Sequence, residues 1–342
     1  MKLQIPVLIA GIGGASLGTE IFKCLRDTAS YSIYGCDISQ YAYGHYQEGF
    51  TETFRVNRYK YVESIREICT NNGIQAIVPG GEEPLTLLGP CARSFADIGV
   101  AIAANSPEVI ATCSNKGSLF KRLKELNIPT PETFTVRDIS EVKDISYPCV
   151  IKPVTETGGS SFVFLVSDRD EIKLYISYLL KNRGVALIQE YIPLDEGEFT
   201  IGVLSLPNGR LVGSIAMQRL FNTKLSVSAK TNTGLISSGY SQGLIDDFLA
   251  VRVQAERIAA AINSAGPLNI QGRVRNGTLL PFEINPRFSA STYLRSMAGL
   301  NEIDTYLRYI LLGDEPVFPA VKFGYYLRSL QETFVGKEEV KQ

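Results

Sequence analysis

The stretch NIQGRVRNGTLLPFEINPRFSAS, residues 269–291, concentrates oxygen-bearing side chains around one tight turn. Gln271 precedes the Asn276-Gly277 turn and Glu283 follows it, so the two sit on adjacent arms of a hairpin, with Asn285 just beyond the second arm. A carboxylate and two amides converging on one point suit a hard cation such as Mg²⁺, which takes oxygen ligands and shares them with bound phosphates; Glu283 can bridge two such ions. Two residues further on, Arg287 supplies a planar donor fork matched to phosphate oxygens. Taken alone, the hairpin reads equally well as a solvated turn.

Other residues strengthen the phosphate reading. In YPCVIKPV, Lys152 ends an apolar strand, where an ammonium is costly unless it reaches water or an anion. In SNKGSLFKRL, Lys116 opens a helix and opposes its dipole, which suits a bound negative partner. The glycine turn TETGGSS, residues 155–161, can fold over a triphosphate through its backbone N–H groups. Glu190 in ALIQEYI and Glu198 in EGEFTIGVL lie at strand edges, where carboxylates can accept from adenine amino and ribose hydroxyl groups.

These residues need a scaffold of alternating elements. The first hundred residues alternate short apolar runs (LQIPVLIAG, YSIYGCD, IQAIVPG, VAIAAN) with helical patterns, which predicts a parallel sheet with right-handed crossovers, a Rossmann-like module. Its first turn, LIAGIGGASLG, carries Gly11 and Gly13, but Ser16 stands at the third position of a G-x-G-x-x-G fingerprint and Gly18 is displaced. The turn therefore reads as a tight strand-to-helix connection, although Asp37 after the second strand keeps dinucleotide binding open. From Tyr147 the pattern becomes antiparallel. Strands at YPCVIKPV, SFVFLVS, ALIQEYI, EGEFTIGVLSL and GRLVGSIAMQRL are expected, with helices over about 170–181 and 244–265.

Composition bounds the rest. With 34 basic and 35 acidic residues in 342, the net charge of −1 offers no bulk attraction for nucleic acid or anionic membrane. Six scattered cysteines without a CxxC pair, and no signal-like start, point to reduced thiols and a cytoplasmic setting. The only histidine, His45, reads as a surface-loop residue, so no Ser-His-Asp or Cys-His set is available.

In order and spacing, SNKGSLFKRLKELNIPTPET, YPCVIKP, the glycine turn, QEYI, EGEFTIGVL, NIQGR and FEINPRFSASTYLRSMAGL resemble the ATP-grasp superfamily, and within it the carbamoyl-phosphate synthase large-chain type. The resemblance spans about residues 5–315. It implies a mixed α/β and α+β chain: a Rossmann-like pre-ATP-grasp domain over 1–112, a small lobe over 113–190, a large lobe with the metal site over 191–320, and a tail over 321–342. It further implies that Lys116 and Lys152 hold ATP phosphates, Glu190 lies by the adenine and Glu198 by the ribose. Gln271, Glu283 and Asn285 would bind Mg²⁺, as one ion or two, with Mn²⁺ able to substitute, and Arg287 would stabilise the transferred phosphoryl group.

The activity implied is an ADP-producing, carbon–nitrogen bond-forming ligase that joins a small-molecule carboxylate to an amine through an acyl phosphate, with Lys152 and Arg287 as its catalytic residues. A homodimer is a reasonable expectation for such a chain. A full large chain of the carbamoyl-phosphate synthase type has two such modules and an allosteric domain, whereas this sequence holds one, so the full route to carbamoyl phosphate is not expected. Two alternatives remain: an ATP-binding protein without turnover, and an NAD-dependent oxidoreductase resting on Gly11, Gly13 and Asp37. The polar segment 222–234 reads as a lid or a plain loop, with Arg219, Lys224, Lys230, Ser237–Gly239 and Ser289–Ser291 as candidate acceptor contacts.

Overall fold

A computed structural model describes residues 4–142, 145–155 and 161–342. It begins with five parallel strands, β1 (Ile5–Ala10), β2 (Tyr31–Asp37), β3 (Glu52–Arg55), β4 (Ala76–Pro79) and β5 (Ala101–Ile102), ordered β3-β2-β1-β4-β5. The helices between them are α1 (Leu17–Arg26), α2 (Tyr61–Asn72), α3 (Glu82–Leu88) and α4 (Ala92–Ala96). Val7 and Ile9 of β1 pack with Ile21, Phe22 and Leu25 of α1, while Leu8 and Ala10 pack with Ile65, Ile68 and Cys69 of α2. Both faces of the sheet are thus covered, which is why its strands read as unbroken apolar runs.

The turn after β1 is shaped by close approach. A Cβ on Gly18 or on Gly80 would stand 2.0 Å from the Gly11 carbonyl oxygen, so both positions exclude any side chain. Asp37 braces this turn: one of its carboxylate oxygens accepts from the Ile12 N–H (3.0 Å) and the other from the Ser39 N–H (2.9 Å). Its oxygens serve local backbone, so Asp37 has a structural role at this turn that needs no dinucleotide.

Helices α5 (Pro107–Ser114) and α6 (Lys116–Glu125) lead out of this sheet. Ser106 caps α5 by accepting from Val109 N–H, and Asn115 caps α6 by accepting from Ser118 N–H. A four-stranded antiparallel sheet follows, ordered β6-β9-β7-β8, from β6 (Thr133–Val136), β7 (Cys149–Pro153), β8 (Phe164–Val166) and β9 (Ala186–Glu190). Helix α7 (Arg169–Arg183) covers it, burying Ile172, Ile176 and Leu179 at helical spacing against Ile151, Val166 and Ile188.

The largest sheet is ordered β16-β15-β10-β11-β14-β17. It comprises β10 (Glu198–Ser205), β11 (Leu211–Arg219), β14 (Gly243–Ile245), β15 (Pro267–Arg275), β16 (Thr278–Asn285) and β17 (Gly324–Tyr326). Between β11 and β14 a small separate hairpin forms from β12 (Val227–Lys230) and β13 (Leu235–Ser237). The helix expected over 244–265 is shorter, α8 (Leu249–Ala261), because Gly243–Ile245 is drawn into the sheet as β14 against β11. Residues 321–342, expected as a tail, supply the edge strand β17.

Period-two alternation gives this sheet two unlike faces. Phe199, Ile201, Val203, Ala216, Ile270 and Ile284 pack on Val251, Ala255, Ile258 and Ala259 of α8. The opposite face carries Glu198, Thr200, Arg219, Asn269, Gln271, Arg273, Glu283 and Asn285, read from the cross-strand register. Helix α9 (Thr292–Met297) covers part of that polar face: its buried Arg295 donates to Asn269 (2.7 Å) and Thr200 (3.2 Å) and pairs with Glu302 (3.2 Å). Helix α10 (Glu302–Leu312) then returns to the parallel sheet, burying Ile303, Tyr306 and Leu307 in the same core as Val7 and Ile9. Asn105 adds a second tie: its side chain donates to Ser264 Oγ (2.7 Å) and accepts from Ala265 N–H (2.9 Å).

Candidate nucleotide and metal site

A cleft opens between the four-stranded sheet and the polar face of the six-stranded one. Lys116, Lys152, Glu190, Glu198, Gln271 and Glu283 all line it, together with Tyr191, Arg273 and Phe282. Six of the eight residues singled out in the sequence therefore meet in one cavity; Asn285 and Arg287 lie outside its lining.

Gln271 and Glu283 are direct cross-strand partners on β15 and β16, and Asn285 follows on the same face. Asn276 (φ +53°) and Gly277 (φ +71°) supply the left-handed pair that a two-residue hairpin turn requires. Past Gln271 the register slips so that Gly272 faces Pro281, leaving Phe282 as the extra residue of a bulge. The bulge has a use: the Phe282 carbonyl accepts a hydrogen bond from Lys152 Nζ at 2.9 Å.

Lys152 is 5 % exposed, donates to Gln189 Oε1 (2.8 Å), and its ammonium lies 5.4 Å from the centre of the Phe120 ring. Burial first and the neighbouring Lys116 charge second lower its pKa to about 7, with Glu283 partly offsetting them. Both of its hydrogen-bond partners are neutral oxygens, so the site holds a cation without neutralising it, an arrangement suited to an incoming anion.

The two strand-edge glutamates sit in different surroundings. Glu190 accepts from Glu132 N–H (3.1 Å) and pairs with Arg275 at the cleft margin. Glu198 is 1 % exposed, and each of its oxygens is taken by an arginine: Arg219 at 3.1 Å and Arg273 at 2.8 Å. Glu198 thus lines the cleft as the shared partner of two buried cations, an engagement the strand pattern did not show. Glu283 is the contrast, a half-buried carboxylate with no hydrogen bond or ion pair among the described residues. The Asn285 amide likewise makes no hydrogen bond among them.

No group of three or more His, Cys, Asp or Glu side chains that could hold a metal occurs among the described residues. One uncommitted carboxylate facing an amide oxygen, with a second amide beyond, instead fits a Mg²⁺ ion that arrives with nucleotide phosphates and keeps them as ligands.

Arg287 pairs with Glu82 of α3 at 3.1 Å and donates to the Phe288 carbonyl at 3.0 Å, so it reaches toward the parallel sheet rather than into the cleft lining. Arg328, which sequence reasoning did not single out, mirrors it: its guanidinium pairs with Glu20 of α1 (3.1 Å) and caps the Ala290 carbonyl. The helices bearing Glu20 and Glu82 begin after β1 and β4, where strand order reverses and crevices form in such sheets. Arg219 is buried against Glu198 and does not line the cleft. Lys224 and Lys230 belong to the segment around β12 and do not line the cleft, and Ser237 does line it. The glycine turn TETGGSS falls largely outside the described residues.

Residues 113–291 match the ATP-grasp domain family, over half of the chain and across every residue of the cleft. The chain belongs to the ATP-grasp family. Among its relatives, the carbamoyl phosphate synthase large chain of Synechocystis sp. is 27 % identical over 317 residues, covering 87 % of this chain and 29 % of that one. The large chain of Rubrobacter xylanophilus is 24 % identical, covering 90 % and 30 %. The chain thus spans less than half the length of these relatives.

Solved structures share the fold at low identity. An L-amino acid ligase from Bacillus licheniformis superposes with a TM-score of 0.65 at 15 % identity, covering 90 % of this chain and 74 % of that one. The N5-carboxyaminoimidazole synthetase from Staphylococcus aureus, complexed with ADP, gives 0.68 at 15 % identity, covering 94 % and 81 %. No helix among the described residues is long and apolar enough to cross a membrane.

Proposed function

We propose that this protein is an ATP- and Mg²⁺-dependent ligase that activates a small carboxylate as an acyl phosphate, releases ADP, and joins the acyl group to an amine. The observation that carries the proposal is the pairing, in one cleft, of a buried uncompensated Lys152 with an uncommitted Glu283 opposite Gln271. Catalysis in such a site is positioning and charge neutralisation, which accounts for a chain with one histidine and no nucleophile–base set.

Lys116 and Lys152 would hold the nucleotide phosphates, and Glu190 and Tyr191 border the base. Gln271, Glu283 and Asn285 would hold Mg²⁺, which when bound draws charge from the phosphoryl oxygens. Arg287 stands between that group and the parallel sheet, where we place the acceptor carboxylate, near Glu20, Glu82 and Arg328. On this reading residues up to about 112 form a Rossmann-like pre-ATP-grasp domain, 113–190 the small lobe and 191–320 the large lobe. The relatives' names favour ligation over silent binding: one solved neighbour is an amino acid ligase. A panel of amino acids and small carboxylates, offered singly and in pairs with Mg²⁺ and ATP, tests it. ADP release that depends on one particular pair is expected; ATP binding with silence throughout would favour a non-catalytic binder.

A further inference from the structure

The Glu198 carboxylate bridges two arginines, and both grip one stretch of chain. Arg273 Nη2 donates to the Leu235 carbonyl (3.0 Å) and Nη1 to the Ile192 carbonyl (2.6 Å). Arg219 Nη2 donates to the Ser238 carbonyl at 2.7 Å. The gripped residues bracket Ile236 and Ser237, which line the nucleotide cleft, and they form the return strand of the β12–β13 hairpin.

The same root has a third support. The Leu235 N–H donates to the Tyr191 hydroxyl at 3.0 Å, and the Arg273 guanidinium lies 4.6 Å from the Tyr191 ring centre. Tyr191 runs so close under the hairpin turn that a Cβ on Gly234 would stand 2.4 Å from its ring. At the tip, Thr233 Oγ1 and Ser167 Oγ share a hydrogen bond at 2.8 Å, tying the hairpin to the end of β8 on the opposite wall. The hairpin thus spans from one sheet to the other, fixed at its base by the arginines and touching the far wall at its tip.

We propose that Glu198 is a positioning residue for this hairpin, which serves as the flap over the nucleotide, and is not itself a ribose ligand. Its charge orients Arg219 and Arg273, and they in turn hold both ends of residues 235–238. A carboxylate with no exposed surface and both oxygens in ion pairs sets the geometry of its partners. The inference rests on the nucleotide reading of the cleft for what the flap covers, while the grip itself does not depend on it.

Glu198→Gln keeps the shape and removes the charge, and Arg273→Lys keeps the charge and loses the fork that reaches three acceptors. Two readouts are compared with wild type: the ratio of dissociation constants for 2′,3′-dideoxy-ATP and ATP, and the rate of tryptic cleavage at the exposed Lys230 of the flap. For either variant the proposal expects weaker binding of both nucleotides by roughly tenfold, an unchanged ratio, and flap cleavage faster by about tenfold, the scale set by losing a charged hydrogen bond.

A ratio that is high in wild type and falls to unity in Glu198→Gln would show a ribose ligand and overturn the proposal. Unchanged flap cleavage in both variants would overturn it as well. Should Glu198→Gln fail to fold, Arg273→Lys carries the test. If wild type binds neither nucleotide, the ATP reading fails, and cleavage at Lys230 still decides the grip.

Discussion

Glu283→Gln is expected to lower ADP formation by roughly a thousandfold or more while leaving the fold intact. The magnitude follows from the several kcal/mol of charge stabilisation that a bound Mg²⁺ supplies, at about 1.4 kcal/mol per decade of rate. The stability follows from this structure: Glu283 is half-buried and carries no ion pair among the described residues, so its neutralisation breaks nothing, and a change within about 0.5 kcal/mol is expected. Steady-state ADP production and thermal unfolding of the same variant check both halves. Full turnover in the variant would remove the metal assignment. Loss of turnover with a collapsed melting temperature would mean that Glu283 holds the hairpin rather than an ion.

The second large effect concerns Lys152 and pH. With its pKa lowered to about 7, chiefly by burial, this lysine is partly neutral in the free protein at neutral pH, while a bound phosphate requires the ammonium. ATP binding should therefore take up a proton above about pH 7, and affinity should fall by up to about tenfold per pH unit there. Calorimetry in buffers of different ionisation enthalpy reads the uptake directly. Lys152→Met should abolish it and weaken ATP binding by about 1.5–3 kcal/mol. Binding without proton uptake across pH 7–9 would contradict the assignment.

The sign for stability runs the same way. The unfolded lysine titrates near its ordinary 10.5 and the folded one near 7, so the unfolded chain binds more protons between those values. The cost of burying this charge is full below about pH 7 and is relieved as pH rises toward 10.5. Because Glu283 raises the Lys152 value, Glu283→Gln should also shift the binding profile toward lower pH.

Local chemistry made much of this site legible. Asn276-Gly277 fixed a two-residue turn, and that turn placed Gln271 opposite Glu283 in a register that the period of a strand then carried to Asn285. Lys152 stood out because an ammonium within an apolar strand needs a reason. The parallel sheet was visible in its apolar runs, since both its faces are covered.

What was hidden depends on contacts between distant residues. Gly243–Ile245 has the composition of a helix start and becomes β14 because β11 offers an open edge. The Phe282 bulge shows only as a proline in a strand, and its purpose appears when the Lys152 ammonium arrives from β7. Glu198 invited a ligand role through its place at a strand edge and through the family resemblance. Its partners, Arg219 and Arg273, lie on two neighbouring strands, far from it in the sequence. Arg328 had no local signal at all: it comes from beyond β17 and reaches Glu20 across 308 positions of sequence.

The central claim, that a carboxylate is activated by phosphoryl transfer, is tested most directly by trapping. Hydroxylamine offered as the amine, with ATP, Mg²⁺ and individual carboxylates, should give hydroxamate and ADP in equal amounts with the true substrate, and neither product with Glu283→Gln. ADP formed without hydroxamate from any carboxylate, or no binding of ATP to the protein at all, would contradict the account.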